Sequence, residues 1–337
     1  MEDLTSDSQV HEHSMSLADF KRKLNEWGHN RVPFLFVMDF EMEKPRVWRM
    51  DELREDVLFD FNGKGNGIQK ARSSSTSPSL QFNPIPFEEF KTKFDNVMHH
   101  LNRGDSYVTN LTVKSKIESK LDLRELFFQA TAKYKMWLKD QFLFFSPEIF
   151  VQIENDVIKT FPMKGTIDAS IHDAANKILS DTKELAEHVT IVDLLRNDLG
   201  LVAKEVEVRR FRYIDEIKTS GKNILQVSSE ISGNLPSDWH SKLGDILIQL
   251  LPAGSISGAP KKKTVDIIKE TEQAPRGYYT GVAGYFDGAR LDSCVMIRFI
   301  EQVINQFYYR SGAGLTSQSK VKLEYQEILD KIYVPVN

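Results

Sequence analysis

The hydrophobic pattern of this chain changes between strand-like alternation and helical spacing in an irregular order. Alternating or short apolar stretches predict strands, and apolar positions three and four residues apart predict helices. The predicted strands lie near residues 34–38, 106–117, 150–158 (a hairpin), 204–213, 223–232, 281–287, 291–301 and 306–311. The predicted helices lie near residues 86–102, 181–195, 238–250, 260–271 and 319–333. Because strands and helices do not alternate regularly, the pattern predicts an α+β fold with large antiparallel or mixed sheets.

A stretch rich in Gly, Ser and Asn at residues 62–80 predicts a mobile loop that separates a short N-terminal part from the rest of the chain. We expect a disordered leader at residues 1–16, a β-rich part at 17–80, and a main region at 85–335. A length of 337 residues allows one large domain, and we expect one structural domain overall.

The composition excludes several classes of function. A net charge of −4 is small for 337 residues, so nothing indicates a nucleic acid or an anionic membrane as partner. No apolar run is long enough to span a membrane, and the polar, acidic leader resembles neither a signal nor a transit peptide. Cys294 is the single cysteine, so no internal disulfide forms, and its apolar surroundings predict a buried, inert thiol. These features predict a cytoplasmic protein.

A lysine lies at the centre of a short loop predicted to follow the hairpin near residues 150–158. Lys164 stands between Pro162, which fixes its own φ, and Gly165, which permits unusual φ values. A primary amine in a partly desolvated site loses its proton more readily and becomes a nucleophile. On its own, the pattern also fits a surface lysine at a turn.

Two predicted helices each carry a pair of glutamates three residues apart, which places each pair on one helix face. The pairs are Glu184 with Glu187 and Glu324 with Glu327. Two such acidic faces are able to converge on a hard cation, because Mg²⁺ prefers oxygen ligands. The same spacing also occurs on solvated helix surfaces, and the spacing does not show that the helices meet.

Two glycine-rich segments, 252–261 and 311–316, each precede a predicted helix, and Pro260 is expected in the first turn of the first of those helices. Backbone amides at a helix start favour anions, so either segment is able to hold a carboxylate. Tight turns are the other interpretation. The glycine spacing fits neither a dinucleotide fingerprint nor a phosphate-binding loop.

Taken together and in order, these segments resemble the chorismate-utilising enzymes over about residues 85–335. The segments that carry the resemblance are Ser146-Pro147-Glu148, Pro162-Met163-Lys164-Gly165-Thr166, Lys183-Glu184-Leu185-Ala186-Glu187-His188, Asp193-Leu194-Leu195-Arg196-Asn197-Asp198, residues 254–261, Arg276-Gly277 with Tyr279, Gly281 and Gly284, and Gly312-Ala313-Gly314 followed by Glu324, Glu327 and Lys331.

Two positions indicate which branch of that family the chain resembles most. Lys164 matches the aminodeoxychorismate synthases (component I), since anthranilate synthases carry Ala there. Val108 stands where isochorismate and salicylate synthases carry a lysine that activates water. The alternatives are an anthranilate synthase component I and a non-catalytic chorismate-binding protein.

The resemblance implies a large two-sheet α+β sandwich flanked by helices, with the active site between the sheets and a short N-terminal part that completes the sandwich. The implied reaction converts chorismate and ammonia to 4-amino-4-deoxychorismate, for para-aminobenzoate and folate synthesis. The ammonia would come from a glutamine amidotransferase partner.

The resemblance also assigns roles to single residues. Lys164 is the implied nucleophile and Glu148 the implied general acid. The implied Mg²⁺ ligands are Glu187 and Glu327 directly, and Glu184 and Glu324 through water. The implied substrate-binding residues are Thr166, Tyr279, Arg298, Gly314 and Lys331. One departure is Gln226, which stands where many relatives carry a histidine and which donates a hydrogen bond but does not transfer a proton.

Overall fold

The computed structural model describes residues 15–68, 80–217 and 223–336. The helices are α1 (Leu17–His29), α2 (Phe87–Arg103), α3 (Leu123–Gln129), α4 (Ala174–Ser180), α5 (Thr182–Gly200), α6 (Leu243–Leu250), α7 (Gly254–Ser257), α8 (Lys261–Glu272) and α9 (Val321–Asp330). The strands are β1 (Phe34–Met38), β2 (Arg46–Arg49), β3 (Val57–Phe61), β4 (Gln81–Asn83), β5 (Val108–Glu118), β6 (Tyr134–Leu138), β7 (Phe142–Ser146), β8 (Ile149–Glu154), β9 (Val157–Thr160), β10 (Met163–Asp168), β11 (Lys204–Ile217), β12 (Ile224–Asn234), β13 (Gly258–Ala259), β14 (Val282–Phe286), β15 (Leu291–Val295), β16 (Phe299–Val303) and β17 (Gln306–Leu315).

These strands form two antiparallel sheets. Within the described residues, the first sheet has nine strands in the order β10-β12-β9-β8-β15-β14-β1-β2, with β11 beside β12. The second has eight strands in the order β13-β5-β17-β16-β7-β6-β3, with β4 beside β5. The predicted α+β sandwich of two sheets is therefore confirmed.

The hydrophobic core lies between the sheets and on both of their outer faces. In β1, alternate residues face opposite sides. Leu35 and Val37 pack between the sheets with residues of β3 and β7, whereas Phe34 and Phe36 pack outward with α1 and α6. Helices α2, α8 and α9 cover the outer face of the second sheet around Leu111. A strand buried on both sides loses the polar alternation by which strands are usually recognised.

The N-terminal part supplies strands to both sheets. Strands β1 and β2 belong to the first sheet, and β3 belongs to the second. Ser16 caps α1, because its hydroxyl accepts a hydrogen bond from the Asp19 amide. The rest of the predicted leader up to residue 14, and residues 69–79 of the predicted loop, lie outside the described residues.

The single strand predicted at 291–301 is wrong, because the structure has two strands there. Strand β15 ends at Val295 in the first sheet, and β16 begins at Phe299 in the second. The crossing includes Arg298 at a positive φ of 53°, a conformation that ends regular pairing. The chain therefore passes from one sheet to the other at a residue predicted to bind substrate.

Three loop predictions also need correction. The segment 311–316 lies mostly in β17, which pairs with β5 through Gly312 and Gly314. Lys164 lies in strand β10, where Gly165 at φ 87° marks a break in the register with β12. The segment 252–261 contains the short helix α7 and strand β13. Pro260 is the N-cap residue of α8 and does not lie in its first turn.

Local sequence signals account for several of the observed boundaries. Helix α2 ends at Gly104 in the left-handed conformation, with φ 78°. The hairpin near residues 150–158 is β8 and β9, joined through Asn155 and Asp156 at positive φ. Asp181 accepts a hydrogen bond from the Glu184 amide at the start of α5. No helix of the described residues is long and apolar enough to cross a membrane.

Candidate active site

A cavity of about 1220 Å³ lies between strands β8, β9, β10 and β12 of the first sheet and strands β5 and β17 of the second. Helices α5 and α9 add to its wall. Its lining includes these predicted site residues: Glu148, Lys164, Thr166, Glu184, Glu187, Tyr279, Arg298, Gly314, Glu327 and Lys331. Glu324, also predicted, is buried at 6% exposure in the first turn of α9 and is absent from the described lining.

The lysine of β10 faces both the acidic helix α5 and the second sheet. Lys164 Nζ lies 2.8 Å from a carboxylate oxygen of Glu187. A Cβ atom on Gly314 would lie 3.8 Å from the same nitrogen. Glycine at position 314 therefore keeps the space in front of the amine open.

The expected readiness of Lys164 to lose its proton is not what this structure shows. Burial lowers the pKa of Lys164, but the negative charges of Glu187, Glu327 and Glu184 outweigh burial and raise the pKa above its ordinary value. The ammonium is therefore the favoured form of Lys164 beside these carboxylates.

The two glutamate-bearing helices meet at the cavity. Glu184 and Glu187 reach it from α5, and Glu327 reaches it from α9. Lys331 Nζ donates to Glu327 at 2.6 Å and to the Gly312 carbonyl at 2.7 Å. Burial lowers the pKa of Lys331, although Glu327 opposes this. Each of the two carboxylates predicted to bind a metal directly, Glu187 and Glu327, thus forms an ion pair with a lysine.

The acidic side chains of the cavity wall suit an ion that keeps much of its water, but those that the structure describes form no closed ligand cage. Among the described residues, no three His, Cys, Asp or Glu side chains converge closely enough to form a ligand cage. Mg²⁺, however, keeps several waters and usually takes one or two carboxylates from the protein. Glu187 and Glu327 line one cavity on facing helices, and their oxygens are of the kind that Mg²⁺ prefers, so these two residues fit such an ion.

A second carboxyl group stands between β7 and β8. Glu148 is held at its backbone, where its amide donates to Ser146 and its carbonyl accepts from Val295. The Ser255 hydroxyl donates to its carboxylate at 2.5 Å. Burial raises the pKa of Glu148, and Ser255 and Lys331 only partly oppose this. A raised pKa favours the protonated form that a general acid requires.

A basic and aromatic region forms another part of the wall. Tyr279 is 4% exposed, and burial raises its pKa to about 12. Arg298 Nη1 donates to the Lys331 carbonyl at 3.2 Å, and its guanidinium lies 4.8 Å from the ring centre of Tyr333. This region has the positive charge that a carboxylate needs.

Thr166, Gln226 and Val108 also line the cavity. Thr166 and Gln226 are register partners in β10 and β12, so the glutamine stands beside the predicted substrate-binding threonine. Val108 gives the cavity wall an apolar side chain at the position where the sequence resemblance implies a lysine in isochorismate synthases.

Sequence reasoning missed several residues that organise this site. Ser255 lies in the glycine-rich segment but received no role there. Lys261 pairs with Asp198 at 2.9 Å, which ties the end of α5 to the start of α8. Gly254 lies under this pair, since a Cβ there would stand 2.7 Å from Asp198 Oδ2. Both charged residues lie in the segments that carry the family resemblance, and that was the available signal.

Comparison with known proteins identifies the family. The chain matches the model of the chorismate binding enzymes over residues 12–337. The chain belongs to this family. A protein of Haemophilus influenzae named uncharacterized PabA-like protein is 47% identical over 322 residues, 95% of this chain and 98% of that protein. Aminodeoxychorismate synthase component 1 of Salmonella typhimurium is 32% identical over 259 residues, 72% of this chain and 56% of that enzyme.

A solved relative has the same fold. The crystal structure of anthranilate synthase component I from Streptococcus pneumoniae matches with a TM-score of 0.64 and 27% identity, over 76% of this chain and 59% of that one. This chain therefore spans little more than half the length of both named synthases. These two relatives bear the names of different enzymes, so the choice of reaction depends on the chemistry of the cavity.

Proposed function

We propose that this chain catalyses the aminodeoxychorismate synthase reaction, in which chorismate and ammonia give 4-amino-4-deoxychorismate and water. The observation that carries the proposal is the position of Lys164. Its amine stands in the cavity between the acidic helix α5 and Gly314, with open space before it. An amine at this point is able to attack the substrate as a nucleophile. Direct attack of ammonia on the ring would need no such amine, so its presence favours a covalent route.

The proposed first step is attack of the Lys164 amine on C2 of the chorismate ring while the C4 hydroxyl departs. Both ring double bonds shift, from C1–C2 and C5–C6 to C6–C1 and C4–C5, and the carbon–oxygen bond at C4 breaks. Glu148 gives its proton to the departing oxygen, which leaves as water. Hydroxide is a poor leaving group, so a positioned proton donor lowers this barrier. The burial that raises the Glu148 pKa supports this role.

In the proposed second step ammonia attacks C4, and the bond between C2 and Lys164 breaks. Both double bonds return to their first positions, and the attacking nitrogen gives a proton back to the Glu148 carboxylate. Covalent catalysis of this kind divides one difficult substitution into two easier ones. The lysine leaves as an amine and is ready for another turnover.

The proposal includes a magnesium ion held by Glu187 and Glu327, with Glu184 and Glu324 acting through water. When bound there, Mg²⁺ would neutralise charge and orient the ring carboxylate of the substrate. Glu187 cannot serve at once as a full metal ligand and as the ion-pair partner of Lys164. Lys164 therefore has to leave Glu187 and lose its proton before it attacks.

The remaining predicted residues suit the carboxylates of the substrate. Arg298 offers a planar fork that binds a carboxylate with two hydrogen bonds. Lys331, Tyr279 and Thr166 offer further donors, and Gly314 permits close approach of the ligand to the backbone. A glutamine amidotransferase chain is the proposed source of ammonia in the cell, where the product would lead to para-aminobenzoate and folate.

The direct test is incubation of the purified chain with chorismate, Mg²⁺ and concentrated ammonium at alkaline pH, followed by separation of products by mass. We expect aminodeoxychorismate from the parent chain and from Lys159→Ala, but not from Lys164→Ala. Lys159 is a matched control, because it also pairs with a glutamate at 2.8 Å but is not among the described residues that line the cavity.

Two other outcomes overturn parts of the proposal. Anthranilate or isochorismate as the product would keep the family and contradict the reaction. Chorismate that stays unchanged with ammonium, and also with glutamine and an added amidotransferase, would indicate a protein that binds chorismate without converting it.

A further inference from the structure

Three arginines lie close enough to Tyr279 for their charges to affect its pKa. They differ in how many of their N–H donors are hydrogen-bonded to the protein. The charges of Arg276, Arg310 and Arg298 all act on the tyrosine. Arg276 donates to Glu272 through two nitrogens, to the carbonyls of Ile256 and Asn110, and to the hydroxyl of Thr280. A guanidinium has five N–H donors, so Arg276 is fully engaged by the protein.

Arg310 is also buried, although less completely than Arg276, but few of its donors are hydrogen-bonded. Its side chain is 8% exposed. Among the described residues, its guanidinium makes one hydrogen bond, from Nη1 to Glu301 at the long distance of 3.4 Å, and its buried Nε has no partner. A buried donor without a partner has lost its water and gained no hydrogen bond in return, which is unfavourable. Such donors are expected where a ligand completes the hydrogen bonding.

The charge around Arg310 is also incomplete. Glu301 is shared, because it forms a salt bridge with Lys114 as well as with Arg310. One carboxylate neutralises only one of two cations, so one positive charge remains uncompensated. Lys114 is partly exposed to solvent, which screens its charge, whereas Arg310 is buried against the cavity. A ligand carboxylate would balance the remaining charge.

Strand β17 aims Arg310 at the interior of the same cavity. Alternate residues of a strand face one side, so Arg310, Gly312 and Gly314 share a face. Gly314 is the residue opposite the Lys164 amine, and Arg310 follows about 13 Å back along the strand at roughly 3.3 Å per residue. The long arginine side chain crosses part of that distance, and its guanidinium lies 5.4 Å from the ring centre of Tyr279.

The neighbouring strand adds a further polar group on this face. Thr112 stands opposite Gly312 in β5, and its buried hydroxyl has no partner among the described residues. A Cβ on Gly312 would lie 3.0 Å from the Thr112 side chain, so the two positions point the same way. The face of β17 beside Arg310 therefore has no side chains at Gly312 and Gly314, and the Thr112 hydroxyl next to it is a further hydrogen-bond donor.

We propose that Arg310 binds the carboxylate of the substrate's three-carbon side chain and so selects ring dicarboxylates over ring monocarboxylates. This inference rests on the proposed function, since it takes chorismate as the ligand. None of the sequence patterns assigned a role to Arg310.

The test compares two ligands by calorimetry with Mg²⁺ present and ammonia absent. One ligand is chorismate, and the other is the dihydroxycyclohexadiene monocarboxylate that remains when the enolpyruvyl side chain is removed. In Arg310→Gln, the Kd of chorismate should rise about tenfold to a hundredfold, the usual effect of losing a charged hydrogen bond, while the Kd of the monocarboxylate stays within about twofold.

A matched control is Lys114→Gln, which removes the other cation of Glu301. It should change neither Kd more than about twofold, because Lys114 is not among the described residues that line the cavity. If Arg310→Gln fails to fold, Arg310→Lys keeps the charge without the fork. That variant should still weaken chorismate alone, by about threefold or more.

The possible failures are distinguishable. If the parent chain does not bind chorismate, the proposed function fails and the inference fails with it. If the parent chain binds chorismate but the folded Arg310 variant binds it equally well, or loses both ligands equally, then only the role of Arg310 is overturned. An equal loss in Lys114→Gln would mean that Arg310 merely neutralises Glu301.

Discussion

At the scale of single residues, the site is governed by carboxylates and amines whose charges depend on one another. Lys164 is an ammonium because Glu187, Glu327 and Glu184 surround it. Glu148 is driven toward its neutral form because burial disfavours its charge. The same cavity therefore stabilises Lys164 as a cation and Glu148 as a neutral acid, because Lys164 has several opposite charges nearby and Glu148 has few.

Removal of the Lys164 ammonium should strengthen metal binding. In Lys164→Met, the competing cation on Glu187 is gone, so we expect the Kd of Mg²⁺ without substrate to fall about threefold to tenfold. Titration calorimetry measures this directly. Lys159→Met should leave the Kd unchanged, because its partner is Glu230 and it is not among the described residues that line the cavity. Weaker Mg²⁺ binding in Lys164→Met would contradict the assignment of Glu187 as a ligand.

Glu148→Gln should be less active but more stable at neutral and alkaline pH. A positioned general acid contributes about a hundredfold or more, so turnover should fall by at least that factor. The folded pKa of Glu148 lies above the unfolded value of about 4.3, so the parent chain loses stability as pH rises through that interval.

The stability gain of Glu148→Gln should therefore grow from about pH 4 upward and become constant above the folded pKa. Thermal unfolding of both chains across pH measures this difference. A gain that shrinks as pH rises would mean that Glu148 is stabilised as a carboxylate in the folded protein, which contradicts its role as an acid.

At the scale of elements, a strand irregularity places the nucleophile. Gly165 takes a φ of 87° where β10 breaks register with β12, between Lys164 and Thr166. A Cβ at Gly165 would also lie 3.0 Å from Glu184 Oε2. The glycine therefore permits the bulge and lets α5 approach β10.

Gly165→Ala tests this arrangement against Gly104→Ala. Both glycines have left-handed φ, so each substitution should cost about 1–2 kcal/mol of stability. No atom lies within 4 Å of a Cβ on Gly104, so the Gly104→Ala variant should keep the activity of the parent chain. Gly165→Ala should also reduce turnover about tenfold or more, because it displaces Lys164 or Glu184. Equal activity in both variants would show that the bulge does not position the site.

The elements that were predicted correctly have strong local patterns. Helix α2 has regular apolar spacing and a glycine cap, and the β8–β9 hairpin has clear alternation. Strands β6 and β7 were missed because all their residues are buried, which removes alternation. The break at Arg298 was missed because a crossing between sheets depends on partners distant in sequence.

The site shows the same division. Lys164 and the glutamate pairs were found because they lie in recognisable segments, and the structure brings Glu184, Glu187 and Glu327 to one cavity with Lys164. Arg310 was missed because the strand predicted at 306–311 ended before Gly312 and Gly314, so nothing placed Arg310 on the face of these glycines. Once β17 is recognised as a strand, its alternation places Arg310 on the face of Gly312 and Gly314.

At the scale of the whole molecule, a buried ion pair joins parts of the chain that are distant in sequence. Arg276 and Glu272 are almost fully buried and contact each other through two hydrogen bonds. Glu272 also accepts from the Thr112 amide in β5, while Glu41 near β1 accepts from the backbone of Arg276 and Gly277. This cluster links α8, the second sheet and the N-terminal part.

Arg276→Met should lower the free energy of unfolding by about 3–5 kcal/mol, since it leaves Glu272 buried and unpaired. The double variant with Glu272→Met should lose less than the sum of the two single variants, because neither charge remains. Denaturant unfolding measures all four chains. Arg196→Met, which removes an exposed pair with Asp193, should cost less than about 1 kcal/mol. Simple additivity in the double variant would contradict the pairing.

The measurement that tests the account most directly is the intact mass of the protein after incubation with chorismate and Mg²⁺ in the absence of ammonia. The account predicts an added mass equal to chorismate less one water, located by peptide mapping on Lys164 and removed when ammonium is added. Lys164→Ala should show no added mass. Aminodeoxychorismate formation by a Lys164→Ala chain, or formation by the parent chain with no adduct under any quench condition, would contradict the claim that Lys164 is the nucleophile.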